Sequence, residues 1–311
     1  MMFKNTFRLL FANFSIFWKQ FLYKVIVLAL SFCLLLPVLG QIKNLTGFSL
    51  LIENVKELLL NMPVSSMKEY MLLCWQVVEN IKFCILSLLN LNVFTLVYVC
   101  IVLFFICPFL FNISDVAVGE TLYASMSSCS KISYTGAFVS KIGKGILYSF
   151  LKTIISIPFT ALILAGFYFF VSHAVVSDFW LIFAPILIIA YFILVKGFEI
   201  CITSGVMPAL IVFNCNLAKA YSKGYHALKR RFLRSFSTIA MLLLISTCLF
   251  VIFGVLSLVI LFPLSYMIFL IFRMVMFFES QGMRYYVDVN TVLKPKQLEE
   301  TDKLKKAIDI I

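Results

Sequence analysis

Charge is what this chain lacks. Only 13% of its 311 residues are Asp, Glu, Lys or Arg, where a soluble domain carries about 25%. Acids are scarcest, 14 against 26 Lys and Arg, and there are two histidines. So thin a supply of titrating groups leaves little capacity for general acid–base work. No Walker lysine loop, GxGxxG, GxSxG or HExxH occurs. Neither His173 nor His226 has a Cys, Asp or second His at metal-ligand spacing, so no metal and no cofactor is expected. The nine cysteines include no CxxC. Cys33, Cys100, Cys107 and Cys248 sit in oily runs and read as small hydrophobes, which argues against a zinc or disulfide framework. Cys74 and Cys84 share the one long segment between runs, where a disulfide is open to them.

Hydrophobicity is abundant: 63% of residues are apolar, 34 of them Phe, and the mean hydropathy is +1.05. About 20 apolar residues cross a hydrocarbon core of about 30 Å. Six such spans are expected, near 24–40, 93–113, 147–171, 178–198, 237–255 and 257–278. The last two form one uncharged run, Ser235 to Phe272, with Gly254 as the expected turn and Phe262-Pro263 as a rival break. Alternating strands of a membrane barrel are missing. The fold class is therefore all-α, a polytopic transmembrane helical bundle of about six spans arranged as three hairpins. Lys4 and Arg8 precede the first run, but Lys19 and Lys24 delay its start and no small-residue cleavage site ends it. It reads as a retained span rather than a cleaved signal.

The net charge of +12 would raise nucleic acid as a partner of a soluble protein. Here the cations mark loops instead. Lys43, Lys56, Lys68 and Lys82 fall on one side and the other 22 of the 26 on the opposite one. That bias predicts a bacterial cytoplasmic membrane protein with both termini cytoplasmic, contacting anionic lipid headgroups and no nucleic acid. The expected organisation is a transmembrane bundle over 1–278, carrying an extracytoplasmic insert at 41–92, and a cytoplasmic tail over 279–311. In the insert, Leu51, Val55, Leu58 and Leu59, then Met67, Tyr70, Met71, Cys74, Val77, Val78 and Ile81, recur at helical spacing around Pro63. Two amphipathic helices on the outer surface are expected, their Met and aromatic stripe serving packing.

The most basic stretch is LAKAYSKGYHALKRRFLRSF, Leu217–Phe236. On a helix Lys219, Lys223, His226, Arg230 and Arg234 share one face, while Leu217, Tyr221, Tyr225, Leu228, Phe232 and Phe236 share another, the pattern of an interfacial helix. The N-terminus repeats it, with Phe3, Phe7, Leu10, Phe14, Phe17 and Phe21 opposite Lys4, Arg8 and Lys19. A weaker version, Phe138, Ile142 and Ile146 with Lys141, Lys144 and Lys152, precedes the third span. A basic interfacial elbow helix is thus expected before each hairpin. Lys4, Arg8, Lys19, Lys219, Lys223, Arg230, Arg231 and Arg234 are the expected lipid-headgroup contacts.

Ionisable residues inside a span mark function by default. Glu199, with Lys196 one turn earlier and the broken segment Gly205–Pro208 beyond it, is the leading candidate, since broken helices beside carboxylates build transporter sites. The plainer reading is a Lys196–Glu199 pair at the headgroup level. Asp115 and Glu120 complete the candidate transport set; five residues apart, they share a site only if the helix bends, for instance at Gly119.

GVMPALIVFNCNLAKAYSKGYHALKRRFLRSFSTIAML, Gly205–Leu242, resembles a segment of bacterial families related to the membrane domain of glycerophosphoryl diester phosphodiesterases. There a span ends near a Pro, a short polar turn comes next, and an Ala-containing basic segment leads into the next span; Pro208, Asn214, Ala220 and Arg230–Phe232 occupy those places. Phe213-Asn214 stands where that family usually has an acidic residue. The closing Phe277–Glu300 is similar to tails of uncharacterised membrane proteins of Clostridia-like bacteria. The resemblance covers about 40 residues plus this tail. It brings no phosphodiesterase catalytic domain and implies no hydrolase activity. The functional expectation is a non-catalytic scaffold, regulator or partner of another membrane system. A small permease working near Glu199 is the alternative, and a lipid-modifying enzyme ranks lower.

Overall fold

A computed structural model describes residues 2–43, 47–61, 67–176, 178–229, 232–253, 255–288 and 291–293. Helix α1, Met2–Ala12, stops at Asn13, and α2, Phe14–Lys43, comes next. Asn13 ends α1 by competing for its backbone, donating Nδ2 to the Leu9 carbonyl at 3.0 Å. Then come α3, Phe48–Asn61, α4, Met67–Leu91, and α5, Val93–Ile101. Asn92 caps α5 by accepting from Phe94 and Thr95 N–H. A π-helical turn, Val102–Ile106, joins α5 to α6, Cys107–Ser128. Pro108 supplies the reason, having no N–H to give and crowding the carbonyl four residues back, so the turn widens. Next are α7, Tyr134–Val176, α8, Asp178–Ser204, α9, Val206–Val212, α10, Leu217–Lys229, α11, Phe232–Phe253, and α12, Val255–Ser280. A small antiparallel hairpin, β1 Tyr285–Asp288 and β2 Thr291–Leu293, lies beyond α12.

The chain is a polytopic all-α bundle and a multi-pass membrane protein. Among the described residues, seven helical stretches are long and apolar enough to cross a membrane. Six match the expected spans, and the seventh is Lys68–Leu89 in α4. Its contacts place it differently from the rest. Near its start, Met71 and Cys74 pack on Val171, Ala174 and Ala184, where α7 turns into α8. Near its end, Cys84 and Leu88 pack with Phe48, Leu51 and Leu96, beside Thr95, which donates to Gln41 at the far end of α2. Both ends of α4 thus lie against the same end of the bundle, and the helix runs across that face. We call it the turn end and the opposite one the basic end. Cys74 and Cys84 are both free thiols; ten residues of one helix hold them about 15 Å apart, which excludes the disulfide.

Two elbows form as separate helices, α1 and α10, but the third does not. Phe138–Ile146 is fused into α7, whose 43 residues make a rod of about 65 Å. Gly254, the expected turn between α11 and α12, lies outside the described residues, as do Arg230 and Arg231.

Packing is densest toward the basic end. There α12 runs through the middle, with Met267, Phe272, Met274, Phe277 and Phe278 buried against α1, α6, α9 and α10. Gly205 and Gly224 let α9 and α10 touch backbone to backbone: a Cβ on Gly205 would lie 2.5 Å from the Gly224 carbonyl oxygen. The hairpin joins this body. Tyr285 is buried and its hydroxyl accepts from Asn5 Nδ2 at 2.9 Å, tying it to α1. The packed body therefore runs on past residue 278, while 294–311 are outside the described residues. Leu22, Ile26, Leu164, Ile186 and Leu194 are exposed on the flanks, as lipid-facing surface requires.

Candidate functional site: a charged layer across the helices

The α7 sequence carries a polar stripe within its oily run. Gly145, Tyr148, Ser149, Lys152, Thr153 and Ser156 succeed each other at short steps that stay within one side of the helix. Gly145 lets α6 approach, since a Cβ there would meet the Ile113 carbonyl at 2.7 Å. Ser149 donates to the Phe109 carbonyl. With the backbones this close, Lys152 reaches across to α6 and donates to Asp115 Oδ2 at 2.8 Å and Asn112 Oδ1 at 2.6 Å. Asp115 is fully buried.

Two more helices close on Asp115. Lys24 of α2 brings its ammonium within 3.6 Å of Oδ1 and donates to the Phe111 carbonyl. Tyr266 of α12 donates its hydroxyl to the same Oδ1 at 2.5 Å, and its ring lies under both ammonium groups, 4.3 Å from Lys24 and 5.6 Å from Lys152. Burying a carboxylate is tolerable only when its charge is paired and its lone pairs are occupied, and Asp115 meets both conditions. Beside it, Gln20 donates to Ser114 at 3.0 Å and accepts from Tyr134 at 3.1 Å.

Glu199 forms the second node. It is 4% exposed, accepting from Ser156 at 2.5 Å and from Lys196 at 2.7 Å. The water-facing pair expected from the sequence is half realised: Lys196 leaves 33% of its side chain exposed, Glu199 5%. The carboxylate is enclosed because α7 packs over it. The helix break beyond it is present, with α8 ending at Ser204 and Gly205 making the turn into buried α9.

Arg273 of α12 is the third node. It is 5% exposed, donates Nη1 to the Tyr148 hydroxyl at 3.2 Å, and leaves Nε without a partner. Asp115 and Glu199 act on it only at longer range.

Asp115, Lys152, Glu199 and Arg273 lie at comparable depths, with Arg273 seven residues, about 10 Å, further along α12 than Tyr266. Helix length separates Asp115 from Val93 by about 33 Å, Lys152 from His173 and Glu199 from Asp178 by about 32 Å, and Arg273 from Val255 by about 27 Å. The layer therefore sits about one hydrocarbon thickness from the turn end.

Glu120 stands apart. It pairs with Lys141 at 3.4 Å, and α6 runs straight through Gly119, where an added Cβ would strike Met207 and Ile211. The bend needed for a joint Asp115–Glu120 site does not form. Of the expected headgroup contacts, Lys4, Arg8, Lys19, Lys219, Lys223 and Arg234 are exposed. The apolar faces behind them rest largely on protein: Leu9 and Leu10 are buried, and Leu217, Tyr221, Phe232 and Phe236 are partly buried against the core. Sequence reasoning counted Lys24, Lys152 and Arg273 as loop cations and missed them as site residues. The α7 polar stripe is the one signal in the sequence that could have singled out Lys152. No group of His, Cys, Asp and Glu among the described residues is placed to hold a metal ion.

No family model, curated protein or solved structure matches this chain.

Proposed function

We propose that this is a non-catalytic multi-pass protein of a bacterial cytoplasmic membrane, with the basic end cytoplasmic, serving as a scaffold or regulatory partner of another membrane component. The observation that carries this reading is the state of the two carboxylates in the charged layer. Asp115 is held by Lys152, Lys24 and Tyr266, and Glu199 by Lys196 and Ser156. Neither is left to bind a passing cation or take a substrate proton. The exposed cations of α1 and α10 stand on the packed body of the basic end and supply contacts for anionic lipid.

A small permease is the second reading, favoured by the helix break at Gly205 just beyond Glu199. Glu199→Gln separates the two. In a scaffold it leaves cells carrying normally accumulated protein with wild-type behaviour. A loss as complete as gene deletion, at normal protein level, overturns the scaffold reading.

A further inference from the structure

Four cations, Lys24, Lys152, Lys196 and Arg273, share two carboxylates in the charged layer. Three of the four are bound to those carboxylates at 3.6 Å or less. Arg273 has no ion pair among the described residues, and its Nε is a buried donor with nothing to donate to. A guanidinium cannot shed its proton to escape this, and a buried charge without a partner is costly. The α7 polar stripe also holds a donor in surplus. The Thr153 hydroxyl, next to Lys152 on the polar stripe, is fully buried and unpartnered, and Tyr148 already takes Nη1.

We propose that Arg273 is an oxyanion site and that its ligand is a phosphate group. The shape of the fork selects the class, since guanidinium N–H groups match two oxygens of one phosphate. Charge agrees, because an anion would balance the excess of cations in the layer. Depth agrees: about one hydrocarbon thickness from the turn end is where the headgroup phosphates of the opposite leaflet lie. The enclosure of the guanidinium, 5% exposed beside Tyr148 at 1%, restricts the bound moiety to a small one. Either a lipid headgroup or free phosphate supplies that chemistry.

The test is a thermal melt of the purified full-length protein in neutral detergent. One arm titrates inorganic phosphate against chloride at constant ionic strength. The other titrates phosphatidylglycerol against phosphatidylcholine in mixed micelles. A saturable rise in Tm is expected in at least one arm, and which arm responds identifies the source. Arg273→Gln should abolish the rise, and Lys131→Gln, at an exposed loop cation, should keep it. If Arg273→Gln does not accumulate, Arg273→Lys takes its place, keeping charge without the fork, and should raise the half-saturating concentration at least tenfold. No saturable rise in wild type from either source, or the same rise in the Arg273 variant as in wild type, overturns the proposal and leaves Arg273 neutralised at a distance by Asp115 and Glu199.

Discussion

Lys152 and Asp115 meet at 2.8 Å across the α6–α7 interface, with 9% and 0% of their side chains exposed. Removing one member of a buried pair strands the other, at a cost of about 3–5 kcal/mol. Asp115→Leu should therefore lower Tm sharply in detergent, because it strands both Lys152 and Lys24. Lys152→Met alone should cost less, since Lys24 and Tyr266 still serve the carboxylate. The double variant Asp115→Leu with Lys152→Met should recover part of the loss. Additive losses in the double variant would show the pair to be energetically uncoupled.

The α9–α10 contact makes a second prediction. A methyl at Gly205 lands on the Gly224 backbone, and backbone has no rotamer with which to yield. Gly205→Ala should cost about 1–3 kcal/mol or more by overpacking. Gly40→Ala, where an added Cβ meets nothing within 4 Å, should be neutral or raise stability by up to about 1 kcal/mol. Equal behaviour of the two in a detergent melt would contradict this packing.

Tyr285 joins Asn5 at 2.9 Å and Glu279 at 3.1 Å. Tyr285→Phe leaves the buried Asn5 amide short of an acceptor, which should cost about 1–3 kcal/mol. Burial, with the Glu279 charge adding to it, raises the phenol above its ordinary range. A raised acid contributes its stability fully below the unfolded pKa of about 10 and loses it as pH climbs past that value. The gap between wild type and Tyr285→Phe should thus be constant through neutral pH and shrink only in strong alkali. A gap that closes near pH 7 would exclude a phenol held neutral.

Orientation can be read directly. In a cysteine-free background, Ser172→Cys at the turn end should react with an impermeant maleimide added to intact cells. Ser222→Cys, exposed on α10, should react only after lysis. Labelling of the second in intact cells would invert the assigned sides.

The spans were legible in the sequence because crossing hydrocarbon is a requirement each helix meets alone, through its own composition. The break at Gly205–Pro208 and the cationic faces of α1 and α10 were legible for the same reason: local spacing places residues on one face of one helix. The Phe138–Ile146 segment shows where that reasoning weakens, since nothing within it states whether a hinge separates it from the span, and it became part of α7.

Tertiary structure alone decided which charges are buried and with whom. Lys152 reads from sequence as one more cation beside a span, as Lys144 does, until α6 closes against Gly145 and sets Asp115 opposite it. Tyr266 and Asp115 are 151 residues apart, and no local pattern pairs them. The same holds for the apolar face of α1, which reads as suited to lipid but rests on α12 and the hairpin. Hydrophobicity is non-directional: it determines that a face is covered, and only the packing of distant helices determines by what.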